Sequence, residues 1–190
     1  MPQDAASDAS SGGSSGGGAA GSPGCEAGAV EVCNGTDDDS DGLIDEPSAQ
    51  NTTACNGCTP IQRNDFAYWF CTTGRDWGPA RDNCTSKGGH LASIHDLSEN
   101  DFVTSTMVGL GVSGRFWSGL NDRSTEGDYA WLDGSTVDFS YFNCSATATL
   151  STGSEDCANI IASSKCWDDD DCSGHSFAYV CKAPHTDGCP

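Results

Sequence analysis

The chain has 190 residues, of which 28 are acidic and 8 are Lys or Arg, so its formal net charge is −20 at pH 7. This charge excludes a nucleic-acid partner, because affinity for phosphate backbones depends on cationic side chains that release counterions. It favours the binding of cations instead. The sequence also has no apolar run of the roughly 20 residues that a membrane-spanning helix requires.

Cysteine occurs 12 times, a density that is typical of disulfide frameworks in oxidising compartments. We therefore predict a protein that is secreted or lies at the extracellular cell surface. The four histidines are not found in a metalloprotease or nucleophile-elbow motif. The sequence accordingly predicts that the protein is not an enzyme.

Composition divides the chain into four parts. Residues 1–24 contain 7 Gly, 6 Ser and 5 Ala, and such a segment cannot offset the entropy of ordering. We predict a disordered tether there, which either holds the rest of the chain away from a cell surface or is dispensable. Residues 25–57 are rich in Cys and Asp but have too few large apolar residues for a core of their own. Residues 58–182 contain all five tryptophans and form the predicted main domain, and 183–190 form a C-terminal tail.

Patterning within the main domain predicts an α+β fold. Residues 77–87 and 98–107 read as short helices, the second with Ser98 as its N-cap. Apolar segments bounded by Gly or Asp predict strands at residues 66–70, 116–120, 129–132, 157–161 and 177–181.

Two short motifs carry little weight. The Gly109-x-Gly111-x-x-Gly114 pattern follows a helix and precedes a strand, which is the reverse of the order in a dinucleotide site. The Cys55-x-x-Cys58 pair has no second such pair to complete a zinc ribbon, which favours a disulfide role.

An aspartate-rich loop near the N-terminus predicts a calcium site. Carboxylates at alternate positions followed by Gly42 can converge on one hard cation. The predicted ligands are Asp37, Asp39, Asp41 and Asp45. The loop resembles short Cys/Asp motifs of secreted bacterial proteins and thrombospondin type 3 repeats, whereas an EF-hand would need a glutamate where Ser48 stands. The alternative is a solvated acidic turn.

A series of motifs in a fixed order covers residues 58–182. They are Gly89-His90-Leu91-Ala92-Ser93-Ile94, Phe116-Trp117-Ser118-Gly119-Leu120-Asn121-Asp122, Trp131-Leu132-Asp133-Gly134, Glu155-Asp156-Cys157 and Trp167-Asp168-Asp169. This segment resembles a C-type lectin domain. The resemblance implies a C-type lectin-like fold with two short helices, two small antiparallel sheets and a long loop region from residue 141 to 167. Gly119 is expected to permit close packing.

The same resemblance implies a disulfide framework. The expected pairs are Cys58 with Cys71, Cys84 with Cys181, Cys157 with Cys172 and, outside the usual family pattern, Cys144 with Cys166. Three pairings remain open among Cys25, Cys33, Cys55 and Cys189.

Calcium is the cofactor that the resemblance implies. Asp122, Glu126 and Asp156 match ligands of an auxiliary ion, and Glu155, Asp168 and Asp169 match ligands of the ion that binds sugar. The residues expected to contact the sugar ligand are Glu155, Trp167, Asp168 and Asp169. The usual Trp-Asn-Asp reads Trp-Asp-Asp here. The Glu-Pro-Asn or Gln-Pro-Asp tripeptide of the family is replaced by residues 145–150, which contain no carboxylate.

Two main functions follow from these features, with an enzymatic or other role, such as ice binding, as the remaining alternative. One is a calcium-dependent carbohydrate-binding module whose partner is a glycan. The other is a lectin-like module that binds a cell-surface protein and in which calcium is purely structural.

Overall fold

The computed structural model describes residues 30–39, 43–45, 54–142, 144 and 153–185. A short 3-10 helix, Ala54–Gly57, precedes the main elements. In chain order these are β1 (Cys58–Arg63), β2 (Phe66–Arg75), α1 (Trp77–Thr85), β3 (His90–Leu91), α2 (Leu97–Gly109), β4 (Arg115–Asn121), β5 (Ala130–Trp131), β6 (Cys157–Ile161), β7 (Trp167–Asp170) and β8 (Phe177–Pro184). Neither α1 nor α2 is long and apolar enough to cross a membrane.

The eight described strands form one sheet with the order β1-β2-β8-β4-β6-β7, with β3 beside β8 and β5 beside β4. The predicted α+β class is confirmed, but the prediction of two small antiparallel sheets is corrected to one mixed sheet. Strands β4 and β8 pair in parallel, at Phe116 with Ala178 and at Trp117 with Tyr179. This pairing joins the β1-β2-β8 part of the sheet to the β4-β6-β7 part. A parallel pair needs a long connection, which residues 122–176 provide.

Strands β2 and β4 are buried on both faces of the sheet. Side chains alternate between the faces, so Trp69 and Trp117 enter the core on the α1 side, whereas Tyr68, Phe70 and Phe116 enter the core on the α2 side. Consecutive large apolar residues are typical of strands that are covered on both sides. The two helices therefore cover opposite faces of one sheet.

Both predicted helices form, with shifted ends. Helix α1 ends at Thr85, two residues before the predicted end, and is followed by Gly88 with a φ of +77°. Helix α2 begins at Leu97 because the carboxylate of Asp96 accepts a hydrogen bond from the Glu99 amide at 2.7 Å and forms the N-cap. The prediction of Ser98 as N-cap is therefore wrong; its hydroxyl instead accepts a hydrogen bond from Arg63 at 2.9 Å.

Strands β2, β4 and β8 extend beyond the predicted segments, β6 matches its prediction, and β5 is shorter than the predicted 129–132. Strand β2 continues to Arg75, and β8 continues to Pro184, past the predicted end of the main domain at residue 182. Strand β7 was not predicted because Trp167–Asp170 contains three consecutive aspartates, which are depleted in strands. Its pairing with β6 outweighs that local preference.

The four predicted disulfides are confirmed: Cys58–Cys71, Cys84–Cys181, Cys144–Cys166 and Cys157–Cys172. Among the remaining cysteines, Cys33 bonds to Cys55. Cys25 and Cys189 lie outside the described residues.

Gly119 confirms its expected packing role. A Cβ added there would lie 2.2 Å from the Leu91 carbonyl oxygen, which belongs to the backbone of β3. We expect Gly119→Ala to lower the free energy of unfolding by about 1–3 kcal/mol, because a backbone carbonyl cannot move aside as a side chain can. Urea denaturation measures this effect.

The control variant is Gly114→Ala, since a Cβ at that position meets no atom within 4 Å. Its effect should stay within about 0.5 kcal/mol. Equal losses in the two variants would contradict the packing argument.

Candidate functional site

Asp122 follows β4 and carries a buried carboxylate. The residue is only 2% exposed. Its Oδ2 accepts a hydrogen bond from the Gly127 amide at 2.8 Å, whereas its Oδ1 is buried and has no hydrogen-bond donor within the described part of the chain. A buried carboxylate oxygen without a donor is costly, so this atom is suited to a cation.

Two further carboxylates surround Tyr129 together with Asp122. The Tyr129 hydroxyl donates to Oδ2 of Asp169 at 3.0 Å. Burial raises the pKa of Tyr129 above its ordinary value, and the hydrogen bond to Asp169 and the charges of Asp169, Asp122 and Glu126 raise it further. We call this surface the acidic rim, defined by Asp122, Glu126, Tyr129 and Asp169.

Glu126 links the acidic rim to the segment before β6. Its Oε1 accepts a hydrogen bond from the Gly153 amide at 3.2 Å, and the amide of Asp122 donates to the carbonyl of Asp156 at 3.2 Å. Glu155 and Asp156 therefore enter β6 directly beside the turn that carries Asp122. Both of these residues are partly buried.

Asp168 lies on the opposite face of β7 from Asp169, because successive side chains of a strand alternate. Its carboxylate accepts a hydrogen bond from Nη1 of Arg115 and forms an ion pair with it. The same Arg115 nitrogen donates to Oδ1 of Asn159 at 3.0 Å. Asp168 and Asp169 are thus neighbours in sequence that face different surroundings.

The predicted lectin-domain ligands do not all converge on one point. Among the described residues, no three acidic side chains of this domain place ligand atoms within 4.8 Å of one another. Trp167 is fully buried, and its indole N–H donates to Oδ1 of Asn100 at 2.8 Å. This corrects the expectation that Trp167 contacts a ligand, since its ring belongs to the core on the α2 side.

The N-terminal aspartate loop forms a different carboxylate group from the predicted one. Ligand atoms of Glu31, Asp37 and Asp39 lie within 4.8 Å of one another. Glu31 is fully buried and accepts hydrogen bonds from the amides of Asp39 and Asp45 at 2.9 and 2.8 Å. Sequence reasoning missed Glu31, because it stands outside the alternating run. Asp41 lies outside the described residues.

Asp45 attaches this N-terminal segment to the sheet. Its carboxylate accepts hydrogen bonds from the amides of Asn34 and Gly35 at 2.8 and 3.0 Å and from the indole N–H of Trp69 in β2 at 2.8 Å. Burial raises the pKa of Asp45 despite these donors. The structure therefore gives Asp45 a docking role, separate from the group formed by Glu31, Asp37 and Asp39.

A cavity of about 500 Å³ lies away from the acidic rim, between β8 and the turn after β5. Asp133 at its edge accepts hydrogen bonds from the hydroxyls of Ser93 and Ser135 at 2.6 and 2.5 Å. This carboxylate already has its donors, in contrast to that of Asp122.

Comparison with known proteins identifies the family. The model of the lectin C-type domain matches residues 73–183. The chain belongs to the C-type lectin domain family. Members of this family bind ligands without catalysis, and the chain is accordingly not an enzyme.

Similar proteins include two that are named as lectins. Lectin BRA-3 of Megabalanus rosa is 34% identical over 141 residues, covering 72% of this chain and 82% of the relative. The alpha-N-acetylgalactosamine-specific lectin of Patiria pectinifera is 36% identical over 132 residues, covering 65% of this chain and 77% of the relative.

Similar solved structures differ in their described properties. The cow carbohydrate-recognition domain of CD23, solved with a GlcNAc2Man3 oligosaccharide, has a TM-score of 0.59 and 28% identity, covering 67% of this chain and 94% of that one. A calcium-independent type II antifreeze protein has a TM-score of 0.58 and 31% identity, covering 69% and 94%. The family therefore fixes the fold but leaves the use of calcium to the residues of each chain.

The docking of the N-terminal segment through Asp45 gives a direct prediction. Trp69→Phe removes the indole donor, and we expect it to lower the free energy of unfolding and to expose residues 30–45 to protease. A lost hydrogen bond to a buried charged group costs about 1.5–3 kcal/mol. Limited proteolysis and urea denaturation measure the two effects.

Trp131→Phe is the matched control, because the indole nitrogen of Trp131 is buried without a hydrogen-bond partner in the described part of the chain. It removes the same atoms but no hydrogen bond, so the N-terminal segment should keep its protection. Similar proteolysis of the two variants would contradict the docking role of Asp45.

Proposed function

We propose that the lectin domain is an extracellular carbohydrate-binding module whose binding surface depends on calcium at the acidic rim. The observation that carries this proposal is the buried Oδ1 of Asp122, which has no donor among the described residues. Two relatives named as lectins and a similar domain solved with an oligosaccharide support the ligand class.

The acidic rim has the donor chemistry for a calcium ion, which would have to draw its carboxylates closer together, since no three described ones place ligand atoms within 4.8 Å of one another. Calcium takes six to eight oxygen ligands, mostly from carboxylates and carbonyls, and Asp122, Glu126 and Asp169 supply carboxylates around one tyrosine. We assign Asp156 and Glu155 as further ligands, because their segment is joined to Asp122 by a backbone hydrogen bond. When bound, the ion would offset part of the negative charge of these carboxylates and offer coordination to adjacent sugar hydroxyls.

The protein's own side chains prepare this surface. The Tyr129 hydroxyl fixes one oxygen of Asp169, and the Gly127 amide fixes one oxygen of Asp122. The remaining carboxylate oxygens are thereby held in defined orientations, which lowers the entropy lost when a cation or a sugar hydroxyl binds.

A second candidate function is protein binding with calcium in a structural role. It is favoured by the ion pair between Arg115 and Asp168, which engages a carboxylate that the family pattern assigns to the sugar-binding ion. The absence of carboxylates from the sequence of residues 145–150 points the same way. A cell-surface protein is the partner in this case.

Extracellular location agrees with five disulfides among the described cysteines, since such frameworks persist in oxidising compartments. We further propose that residues 1–24 tether the module to a cell surface. The group of Glu31, Asp37 and Asp39 is proposed as a second calcium site, which holds the N-terminal segment in the shape that presents Asp45 to Trp69.

The calcium proposal for the acidic rim predicts a reversal in the effect of one substitution. Asp122→Asn removes a buried charge while keeping an oxygen acceptor for the Gly127 amide. We expect the variant to match or exceed the wild type in melting temperature with chelator, because a buried unpaired charge is destabilising. With millimolar calcium the wild type should be the more stable, because only its carboxylate gains the ion.

Differential scanning calorimetry of the full chain measures this reversal. The control is Asp133→Asn, whose carboxylate is already hydrogen-bonded and should show no dependence on calcium. If the melting temperature of the wild type is the same with calcium and with chelator, the domain does not bind calcium.

Sugar binding gives a separate prediction. A glycan array should show wild-type binding that is lost with chelator and in Asp169→Ala, because both remove the ion from the acidic rim. Binding should persist in Asp133→Asn. Calcium stabilisation without any glycan signal would favour the protein-binding alternative.

The N-terminal site is tested by Asp39→Ala in the full chain. Loss of one of three carboxylates should lower the affinity for calcium, so calcium should no longer protect residues 30–45 from protease. Protection that is equal with and without calcium in the wild type would identify this group as an acidic turn.

A further inference from the structure

We propose that Arg115 is a built-in cation that takes the place of a calcium ion at Asp168, so that the lectin domain binds calcium only at the acidic rim. This inference rests on the proposed calcium site at Asp122 and Asp169 and defines where that site ends. In this proposal Arg115 is a residue that determines where calcium binds in the domain.

The first argument is the geometry of the ion pair. Asp168 is only 5% exposed, and its Oδ2 is bound by Nη1 of Arg115. That nitrogen also donates to Oδ1 of Asn159 at 3.0 Å and lies 3.9 Å from Oδ2 of Asp170. The guanidinium thus lies among three oxygen-bearing side chains, which is the environment that a hard cation would otherwise occupy.

The second argument is the register of the strands. Asn159 in β6 pairs with Trp117 in β4 on one side and with Asp168 in β7 on the other. Residues that are directly opposite one another share a face of the sheet, and Arg115 shares the face of Trp117 because the two are two positions apart. The pairing of three strands therefore places Arg115 and Asp168 on the same face.

The third argument is the separation of Asp168 from Asp169. The strand alternation that directs Asp168 towards Arg115 directs Asp169 towards Tyr129. Because the two carboxylates bind different partners in this register, one calcium ion between them would have to break at least one of these contacts. The pattern Trp-Asp-Asp is compatible with one metal ligand and one ion-pair partner.

Charge balance supports the same conclusion. Arg115 is one of 8 Lys and Arg residues in a chain with 28 acidic residues, and here it neutralises a nearly buried aspartate. Asp170 has a second partner in His175, whose Nε2 lies 3.0 Å from its carboxylate. A calcium ion at Asp168 would have to displace a guanidinium that is already bound to two side chains.

The experiment measures calcium binding to the full chain by isothermal titration calorimetry, with wild type, Asp168→Asn and Asp169→Asn. We expect Asp168→Asn to keep the number of bound ions and to change their affinity by less than about twofold. Asp169→Asn should lower the affinity for one calcium ion by at least about tenfold, which is the scale of change when metal-site residues are substituted. Equal weakening in the two variants would overturn the proposal while leaving calcium at the domain.

Removal of the guanidinium provides the positive test. Arg115→Met removes the guanidinium from Asp168 and Asn159, so we expect this variant to bind one more calcium ion than the wild type. Arg115→Lys keeps the charge, should fold and should gain no ion. An unchanged ion number in Arg115→Met, or a gain in both variants, would contradict the role of Arg115.

Failure of the proposed function gives a different result. If neither aspartate variant affects calcium binding because the domain binds none, the acidic-rim proposal fails. The ion pair is still tested by a double-mutant cycle of Arg115→Met and Asp168→Asn in chelator. Coupling between the two changes is expected, and additive losses would overturn the built-in cation.

Discussion

Compensation of buried carboxylates is the constraint on which this structure depends. An acidic chain that buries several aspartates and glutamates must give each a donor or a cation, because an uncompensated buried charge costs several kcal/mol. Asp45 has amide and indole donors, Glu99 has Lys182 and Tyr68, and Asp168 has Arg115. Asp122 is the contrasting case, since its Oδ1 has no donor in the described part of the chain.

The mixed sheet arranges these carboxylates by face. Because β2, β4 and β6 are covered on both sides, a shift of one residue changes the entire environment of a side chain. The consecutive aspartates of β7 illustrate this effect: Asp168 meets a guanidinium, and Asp169 meets a tyrosine hydroxyl beside the acidic rim. The same alternation buries Trp167 completely in the core on the α2 side. Function in this domain therefore depends on strand register as much as on residue type.

Sequence reasoning reached the fold and the disulfides because the order of the motifs resembles a C-type lectin domain, and that resemblance implies both. It predicted Asp122, Glu126 and Asp169 by resemblance, and the structure places all three around Tyr129. It did not predict Arg115 beside Asp168, since the two are 53 positions apart and only the β4-β6-β7 register brings them together. The Asp45–Trp69 contact was missed for the same reason, since it depends on the N-terminal segment packing on β2. Glu31 was missed because it stands outside the alternating run of aspartates.

The central claim is that calcium binds the buried carboxylate of Asp122, and that Arg115 occupies the position of a calcium ion at Asp168. Crystals of the full chain grown with terbium in place of calcium test this most directly, because anomalous scattering locates the ion. The account predicts a peak about 2.3–2.6 Å from Oδ1 of Asp122, with Arg115 still bound to Asp168. A peak at Asp168 with the guanidinium displaced, or none at Asp122, would contradict it.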